Sequence, residues 1–238
     1  MSYRDFSLAS IKHKFNLNII EKKDLFSAFS SVKASKFLLE TLDENISLAL
    51  GSNTEKARSE MIITPILIEL RKQLHHQITF FSGVNFTVDT EQGLNGNCDF
   101  IINKSTELLM IVAPVVTVVE AKKEDLNSGL GQCIAEMIAS QIFNQRENNQ
   151  IEIIYGVITS GTNWRFLKLQ NTDVSIDLTE FEQIFGKNEE SFQIWDTDNN
   201  GLIDALELFS GLIIFAEAKF EEKIRCIYIF LFENEELI

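Results

Sequence analysis

The chain has 238 residues, of which 45% are hydrophobic and 19 are Phe, so it can bury a sizeable core and is not expected to be disordered. Its net charge of −14 by itself argues against nucleic-acid binding, but the charge is unevenly distributed. Residues 1–170 carry 19 acidic and 17 basic side chains, whereas residues 171–238 carry 16 acidic and 4 basic ones. This asymmetry predicts two modules, and the nearly neutral first module can still approach a polyanion if its lysines cluster.

The cysteines and the N-terminus indicate the compartment. Cys98, Cys133 and Cys226 are odd in number and lack CxxC spacing, which favours reduced thiols over a disulfide framework or a zinc site. The first ten residues lack the apolar segment of a secretory signal, and the longest apolar runs are too short to cross a bilayer. We therefore expect an intracellular protein, cytoplasmic or nuclear, with no membrane partner.

Helical patterns dominate the first third of the chain. Residues 1–50 are predicted to be helical, because apolar residues recur three and four positions apart between charged ones. Thr54 is expected to cap a further helix that contains Pro65. Either this helix kinks at the proline, or Thr64 caps a second helical segment with Pro65 at its first position.

Strand patterns follow and alternate with one more helix. Strands are predicted over 84–90, 97–102, 113–122, 151–160 and 164–169, with a helix over 126–145. The resulting order α-β-β-β-α-β-β predicts an α/β fold, a mixed sheet flanked by helices.

Three polar residues stand out within these predicted strands. Glu120 and Lys122 are two residues apart, so their side chains share one face of a strand, and Asp99 can meet them if its strand is a neighbour. Two converging carboxylates are suited to a hard cation such as Mg²⁺. A lysine beside them can orient a water molecule or offset charge that develops on a phosphate. The alternative is that these residues are buried and simply pair with one another.

With "NCDF" and "VVEAKKEDLNSGLGQ", the sequence resembles the restriction-endonuclease-like PD-(D/E)xK nuclease superfamily over residues 1–181. Glu60 before the first strand and Gln132 in the helix after "EAK" strengthen the likeness to the superfamily. The segment "GVITSGTNWRFLKL" resembles the branch that includes the N-terminal domains of type I restriction subunits, and also small cyanobacterial proteins. Cys98 stands where the family name places proline.

The resemblance implies metal-dependent phosphodiester hydrolysis, with DNA as the substrate. Asp99 and Glu120 would bind Mg²⁺ or Mn²⁺, with Glu60 acting through a water molecule. Lys122 would position the attacking water or stabilise the phosphate charge, and Gln132 would orient Lys122 or a backbone phosphate. Because many relatives lose catalysis and keep binding, an idle nuclease fold that serves as a binding or calcium-responsive scaffold is the alternative.

The segment 196–207, "DTDNNGLIDALE", carries a second metal motif that fits D-x-[DN]-x-[DN]-G-x5-E throughout. This pattern is typical of an EF-hand, with Gly201 at the sharp turn. The predicted Ca²⁺ ligands are Asp196, Asp198, Asn200, Leu202 through its carbonyl, Asp204 through water, and Glu207.

Residues 182–238 are thus predicted to form a small all-α appendage with one complete EF-hand loop. A second hand is truncated, because the chain shows an entering helix but no second loop. The apolar run 226–232 needs burial, which suggests a homodimer or a protein partner. A protein devoted to calcium sensing is a third hypothesis, but the missing loop counts against it, since sensors use cooperative pairs.

Overall fold

The computed structural model describes residues 1–22, 25, 34–123, 125–178 and 181–182. The helices in this part of the chain are α1 (Leu8–Lys14), α2 (Lys36–Ser52), α3 (Glu55–Arg58), α4 (Thr64–Gln73) and α5 (Leu130–Arg146). The strands are β1 (Asn18–Lys22), β2 (Thr79–Asn85), β3 (Asn97–Asn103), β4 (Val115–Ala121), β5 (Ile153–Thr159), β6 (Asn163–Gln170), β7 (Asp173–Asp177) and β8 (Phe181–Glu182).

Seven of these strands form one mixed sheet in the order β1-β7-β6-β5-β4-β3-β2, and the short β8 pairs with β6. The pairs β1–β7 and β4–β5 are parallel, and the other pairs are antiparallel. The predicted α/β fold with a mixed sheet and flanking helices is therefore confirmed. None of the helices within the described ranges is long and apolar enough to cross a bilayer.

The core lies between the centre of this sheet and α5. All seven residues of β4 are buried, so both faces of this central strand are covered. Helix α5 packs on β4 and β5, and Gly156 in β5 allows this close approach. A Cβ at Gly156 would lie 2.4 Å from Sδ of Met137 and 2.9 Å from Sγ of Cys133. The close packing places one face of α5 directly against the ends of the central strands.

The prediction that residues 1–50 are helical is wrong for one segment. Helices α1 and α2 are present, but Asn18–Lys22 forms β1. This strand pairs in parallel with β7, where Asn18 lies opposite Asp173 and donates to its carboxylate at 3.1 Å. A local pattern cannot indicate a partner that lies 155 residues further along the chain.

The helical segment that contains Pro65 follows neither predicted arrangement. Thr54 caps α3 as expected, since its side chain accepts a hydrogen bond from the Ala57 N–H at 3.1 Å. Between α3 and α4, however, Ser59–Ile63 form a turn of π-helix that ends when the Thr64 N–H donates to the Ser59 carbonyl. The chain therefore remains helical, and Pro65, which has no N–H to donate, is accommodated near the start of α4.

The strand predicted at 84–90 is displaced in the structure. It corresponds to β2, which spans Thr79–Asn85, begins and ends earlier than predicted, and lies at the edge of the sheet. Paired hydrogen bonds continue beyond it without regular strand geometry. The Phe86 N–H donates to the Gly96 carbonyl at 2.8 Å, and the Val88 N–H donates to the Leu94 carbonyl at 3.0 Å. The alternating pattern thus marks an irregular extension of the β2–β3 hairpin.

Candidate active site

Strand β4 ends at the predicted site. Glu120 is its next-to-last residue and is buried. Beyond the strand, the Lys122 N–H still donates to the Thr159 carbonyl at 2.7 Å, so the pairing with β5 extends by one residue. Glu120 and Lys122 are consequently two positions apart on one extended segment. Nζ of Lys122 forms an ion pair with Oε1 of Glu120.

Asp99 reaches the same place from the neighbouring strand β3. Its Oδ2 accepts a hydrogen bond from the backbone N–H of Ala121 at 2.8 Å. Because Ala121 lies between Glu120 and Lys122 in the chain, this bond holds the Asp99 carboxylate beside both of them. Strands β3 and β4 are neighbours, which is the condition under which Asp99 was expected to meet Glu120 and Lys122.

Gln132 contributes from the first turns of α5. Its Nε2 donates to Oε2 of Glu120 at 2.8 Å and to Oε1 of Glu136 at 3.0 Å. An amide nitrogen carries two hydrogens, so both bonds can be made at once. The helix and the strand are linked at this point by one side chain, and Glu120 has a partner for each of its oxygens.

Gly129, at the end of the 3₁₀ turn Leu126–Gly129, provides the space that Lys122 occupies. A Cβ on Gly129 would lie 3.0 Å from Cε of Lys122 and 2.9 Å from Cγ2 of Ile158. The backbone angles of Gly129 are ordinary helical ones, so the requirement for glycine here is steric. The turn before α5 thus packs directly on the lysine stem.

The electrostatics of the site favour an additional positive charge. Burial, reinforced by the negative charge of Asp99, raises the pKa of Glu120 to about 8, although Lys122 opposes the shift. Burial alone would lower the pKa of Lys122, but the carboxylates of Glu120, Glu55 and Asp99 outweigh it and the net shift is upward. One ammonium group therefore faces more than one carboxylate.

Glu136 belongs to this group of residues and was missed by the sequence analysis. It is fully buried, and its Oε2 has no hydrogen-bond partner. Burial, followed by the charge of Glu120, raises its pKa well above the ordinary value. The available signal was a carboxylate four residues after Gln132, on the same face of a helix predicted to pack on the sheet.

Glu60 does not join the group. Its carboxylate forms an ion pair with Nζ of Lys56 at 2.9 Å, and its side chain is 58% exposed. The acidic residue of this region that acts electrostatically on Glu120 and Lys122 is Glu55, in the first turn of α3. Its position directly after the Thr54 cap was the signal that could have singled it out.

Asp99 and Glu120 fit a magnesium or manganese ion in the chemistry of their donors. Both supply oxygen atoms, the ligands these ions prefer, and Mg²⁺ is commonly held by one or two carboxylates together with water and substrate phosphates. The raised pKa of Glu120 reflects its burial first and the charge of Asp99 second, and a bound cation would oppose both effects. Within the described residues, no group of three or more His, Cys, Asp or Glu side chains is placed to hold a metal ion.

The predicted calcium loop lies outside the described residues, so the calcium site stays a prediction, as does the boundary between 181 and 182. This applies to Asp196, Asp198, Asn200, Leu202, Asp204 and Glu207.

Comparison with known proteins adds no assignment. No protein-family model matches the chain, and no curated protein matches it.

Proposed function

We propose that residues 1–181 form a restriction-endonuclease-like domain that hydrolyses phosphodiester bonds of DNA with Mg²⁺ or Mn²⁺. The observation that supports this function most strongly is the meeting of Asp99, Glu120, Lys122 and Gln132 where β3, β4 and α5 come together. Lys122 and Gln132 contact Glu120 directly, and Asp99 accepts from the backbone N–H of Ala121, which lies between Glu120 and Lys122.

Asp99 and Glu120 would hold the cation through their carboxylate oxygens. When bound, the cation supplies positive charge that offsets the charge developing on the phosphate. Nζ of Lys122 faces the same carboxylate and carries donors that can orient the attacking water. The water oxygen forms a bond to phosphorus while one P–O ester bond breaks, and the leaving oxygen takes up a proton as the water loses one.

Gln132 is a positioning residue in this scheme. Its hydrogen bond holds Oε2 of Glu120, so the carboxylate can rotate little about its terminal torsion. Glu136 accepts from the same amide, and burial raises its pKa, which favours its uncharged form. The Gln132 amide thus orients Glu120 without contributing charge.

An idle fold that binds without cleaving is the second candidate. It is favoured by the fact that Lys122 and Gln132 already occupy both oxygens of Glu120. Such a closed group is also what a purely structural network of buried charges requires.

Cleavage of plasmid and single-stranded DNA in Mg²⁺ or Mn²⁺ distinguishes the two candidates. We expect Lys122→Ala to abolish cleavage, whereas Lys72→Ala, at an exposed position in the last turn of α4, retains it. Retained cleavage in Lys122→Ala would contradict the assignment, and absence of cleavage by the folded wild type would favour the idle fold.

A separate measurement of Ca²⁺ binding tests the C-terminal part of the proposal. We propose that residues 196–207 bind Ca²⁺ as an EF-hand, on the strength of the sequence motif. Glu207→Gln should weaken Ca²⁺ binding measured by calorimetry, because it removes the bidentate closing ligand. Unchanged binding would contradict the EF-hand prediction.

A further inference from the structure

A polar cleft of about 260 Å³ lies next to the candidate active site. Lys123 directly follows Lys122, and Ser160 directly follows the residue whose carbonyl accepts from the Lys122 N–H. The main lining residues come from α3, from the segment after β4, and from the β5–β6 turn: Arg58, Lys123, Asn127, Ser160, Thr162 and Asn163.

The chemistry of the lining favours an anion. Arg58 and Lys123 are cations, and most of the other polar lining side chains carry hydroxyl or amide groups. Asp125 is the acidic exception, and its Oδ1 accepts from the Asn127 N–H at 3.0 Å, within the turn. A cleft with two cations and several neutral hydrogen-bonding groups suits a phosphate, whose oxygens accept from both.

Arg58 is the strongest single indication of a ligand. Its exposure is 8%, and its Nη1 donates to the Ser160 carbonyl at 3.0 Å, which joins α3 to the β5–β6 turn. Its Nε is buried without a hydrogen-bond partner. Within the described ranges, no carboxylate forms an ion pair with this guanidinium. A buried charge in this state is costly, and an anion in the cleft would lower that cost.

Neighbouring contacts orient the remaining groups. Oδ1 of Asn127 accepts from Nη1 of Arg165 at 2.5 Å, so its amide nitrogen, a donor, is left for a ligand. In the turn, Oγ of Ser160 accepts from the Asn163 N–H at 3.1 Å and lies 3.2 Å from Oγ1 of Thr162. The hydroxyls are thus held in place before any ligand arrives, which reduces the entropy lost on binding.

We propose that this cleft binds a DNA phosphate next to the one that is cleaved, with Arg58 and Lys123 supplying the charge. This inference rests on the proposed nuclease function and adds the surface that positions the substrate. Arg58 is buried, so its guanidinium is held in place before DNA binds. Lys123 is exposed, so its side chain is free to move until it contacts the phosphate.

Binding of fluorescein-labelled DNA to the full chain in EDTA tests the proposal, because no cleavage is possible there. The probes are a closed dumbbell DNA, which has no termini, and a linear duplex with 5′-phosphates. We expect Lys123→Gln to weaken binding about tenfold at 0.1 M salt and to reduce the salt slope by about 1, as for the loss of one phosphate contact. Lys72→Gln is the matched control. Lys72 is suitable because it lies at the end of α4, shortly before β2 begins. The first residue of β2 pairs with Asn103, which is at the opposite end of β3 from Asp99.

Each outcome bears on the proposal. Equal weakening on both probes supports a site for internal phosphates, whereas weakening on the linear duplex alone supports a site for a terminal phosphate. Equal binding by Lys123→Gln and Lys72→Gln, or no binding by the wild type, overturns it. A parallel cleavage assay in Mg²⁺ separates the two proposals. If the wild type cleaves DNA but Lys123→Gln binds DNA as well as Lys72→Gln does, the proposal for the cleft alone is wrong. If Lys123→Gln selectively weakens binding but the wild type does not cleave, the proposal of catalysis alone is wrong.

Discussion

Gln132 and Glu120 are joined across the boundary between α5 and β4 by a hydrogen bond of 2.8 Å from Nε2 to Oε2. The same nitrogen donates to the buried Glu136, so one amide provides a hydrogen bond to one oxygen of each of two buried carboxyl groups. The contact therefore stabilises the fold and orients the residue proposed to bind the cation.

Replacing Gln132 by Met keeps a side chain of similar size and removes the donor. We expect the free energy of unfolding in urea to fall by about 2–4 kcal/mol, because two buried oxygens lose a partner. Gln145→Met, at an exposed position of α5, should change it by about 0.5 kcal/mol or less. Equal stability of the two variants would show that the amide does not hold the helix to the strand.

Glu136 should make the metal-free protein less stable as the pH rises. Its pKa in the folded protein lies above the ordinary value of 4.5, so the folded state binds more protons than the unfolded state at pH values above 4.5. The stability present below pH 4.5 is lost as the pH rises through the folded-state pKa. Glu136→Gln removes this loss, so we expect its advantage over the wild type to grow from pH 4 to pH 8.

Unfolding curves at several pH values in EDTA measure this difference. Glu147→Gln, at the exposed C-terminal end of α5, is the control and should follow the wild type. Glu120 titrates in all three proteins and interacts with Glu136, so the difference between Glu136→Gln and the wild type reports the titration of the pair. Parallel profiles for Glu136→Gln and the wild type would contradict a raised pKa at Glu136.

Asp99→Asn should separate the two predicted metal sites. The substitution removes a carboxylate charge beside Glu120, and we expect cleavage in Mg²⁺ to be abolished while Ca²⁺ binding by residues 196–207 is retained. Plasmid cleavage and calcium calorimetry give the two readings. Asp43→Asn, at an exposed position of α2, should preserve both activities. Loss of both in a folded Asp99→Asn protein would contradict separate sites.

Gly129→Ala should impair the site without removing any of its polar atoms. The added Cβ meets Cε of Lys122 and Cγ2 of Ile158 at 3.0 and 2.9 Å, so the lysine stem must move. We expect a loss of about 1–3 kcal/mol in stability together with lower cleavage activity. Gly51→Ala is the opposite case, since it lies in α2 with open space around it and should stabilise the protein by about 0.5–1 kcal/mol. A Gly129→Ala protein with normal cleavage would show that the position of the Lys122 stem is not critical.

Glu55 should affect cation affinity more than Glu60 does. The charge of Glu55 acts on Glu120 and Lys122, whereas Glu60 is paired with Lys56. We expect Glu55→Gln to weaken Mn²⁺ binding, measured by calorimetry, about fivefold, which corresponds to roughly 1 kcal/mol of lost attraction. Glu60→Gln should leave it unchanged. A larger loss of Mn²⁺ affinity in Glu60→Gln than in Glu55→Gln would contradict this prediction and support the role that the sequence suggested for Glu60.

Local patterns in the sequence were enough to predict the class of fold and to single out Asp99, Glu120 and Lys122 as residues that can meet. Period-two spacing places Glu120 and Lys122 on one extended segment, and the buried character of β4 follows from its β-branched, mostly apolar composition. Gln132 lies in a helix that its apolar residues predict, whereas its part in the site was implied by the family resemblance alone. Such features depend only on neighbouring residues, and this is why they can be read from the chain.

Tertiary structure alone decided the remaining features. β1 is a strand because β7, from the far end of the sheet-forming region, pairs with it. The charge of Glu55 acts on Glu120 and Lys122, whereas Glu60 pairs with Lys56, because tertiary packing decides which of these two carboxylates comes near the site. The cleft around Arg58 is assembled from three segments that are distant in sequence. Pairing, helix rotation and clefts depend on which surfaces meet, and that choice is made by the whole core.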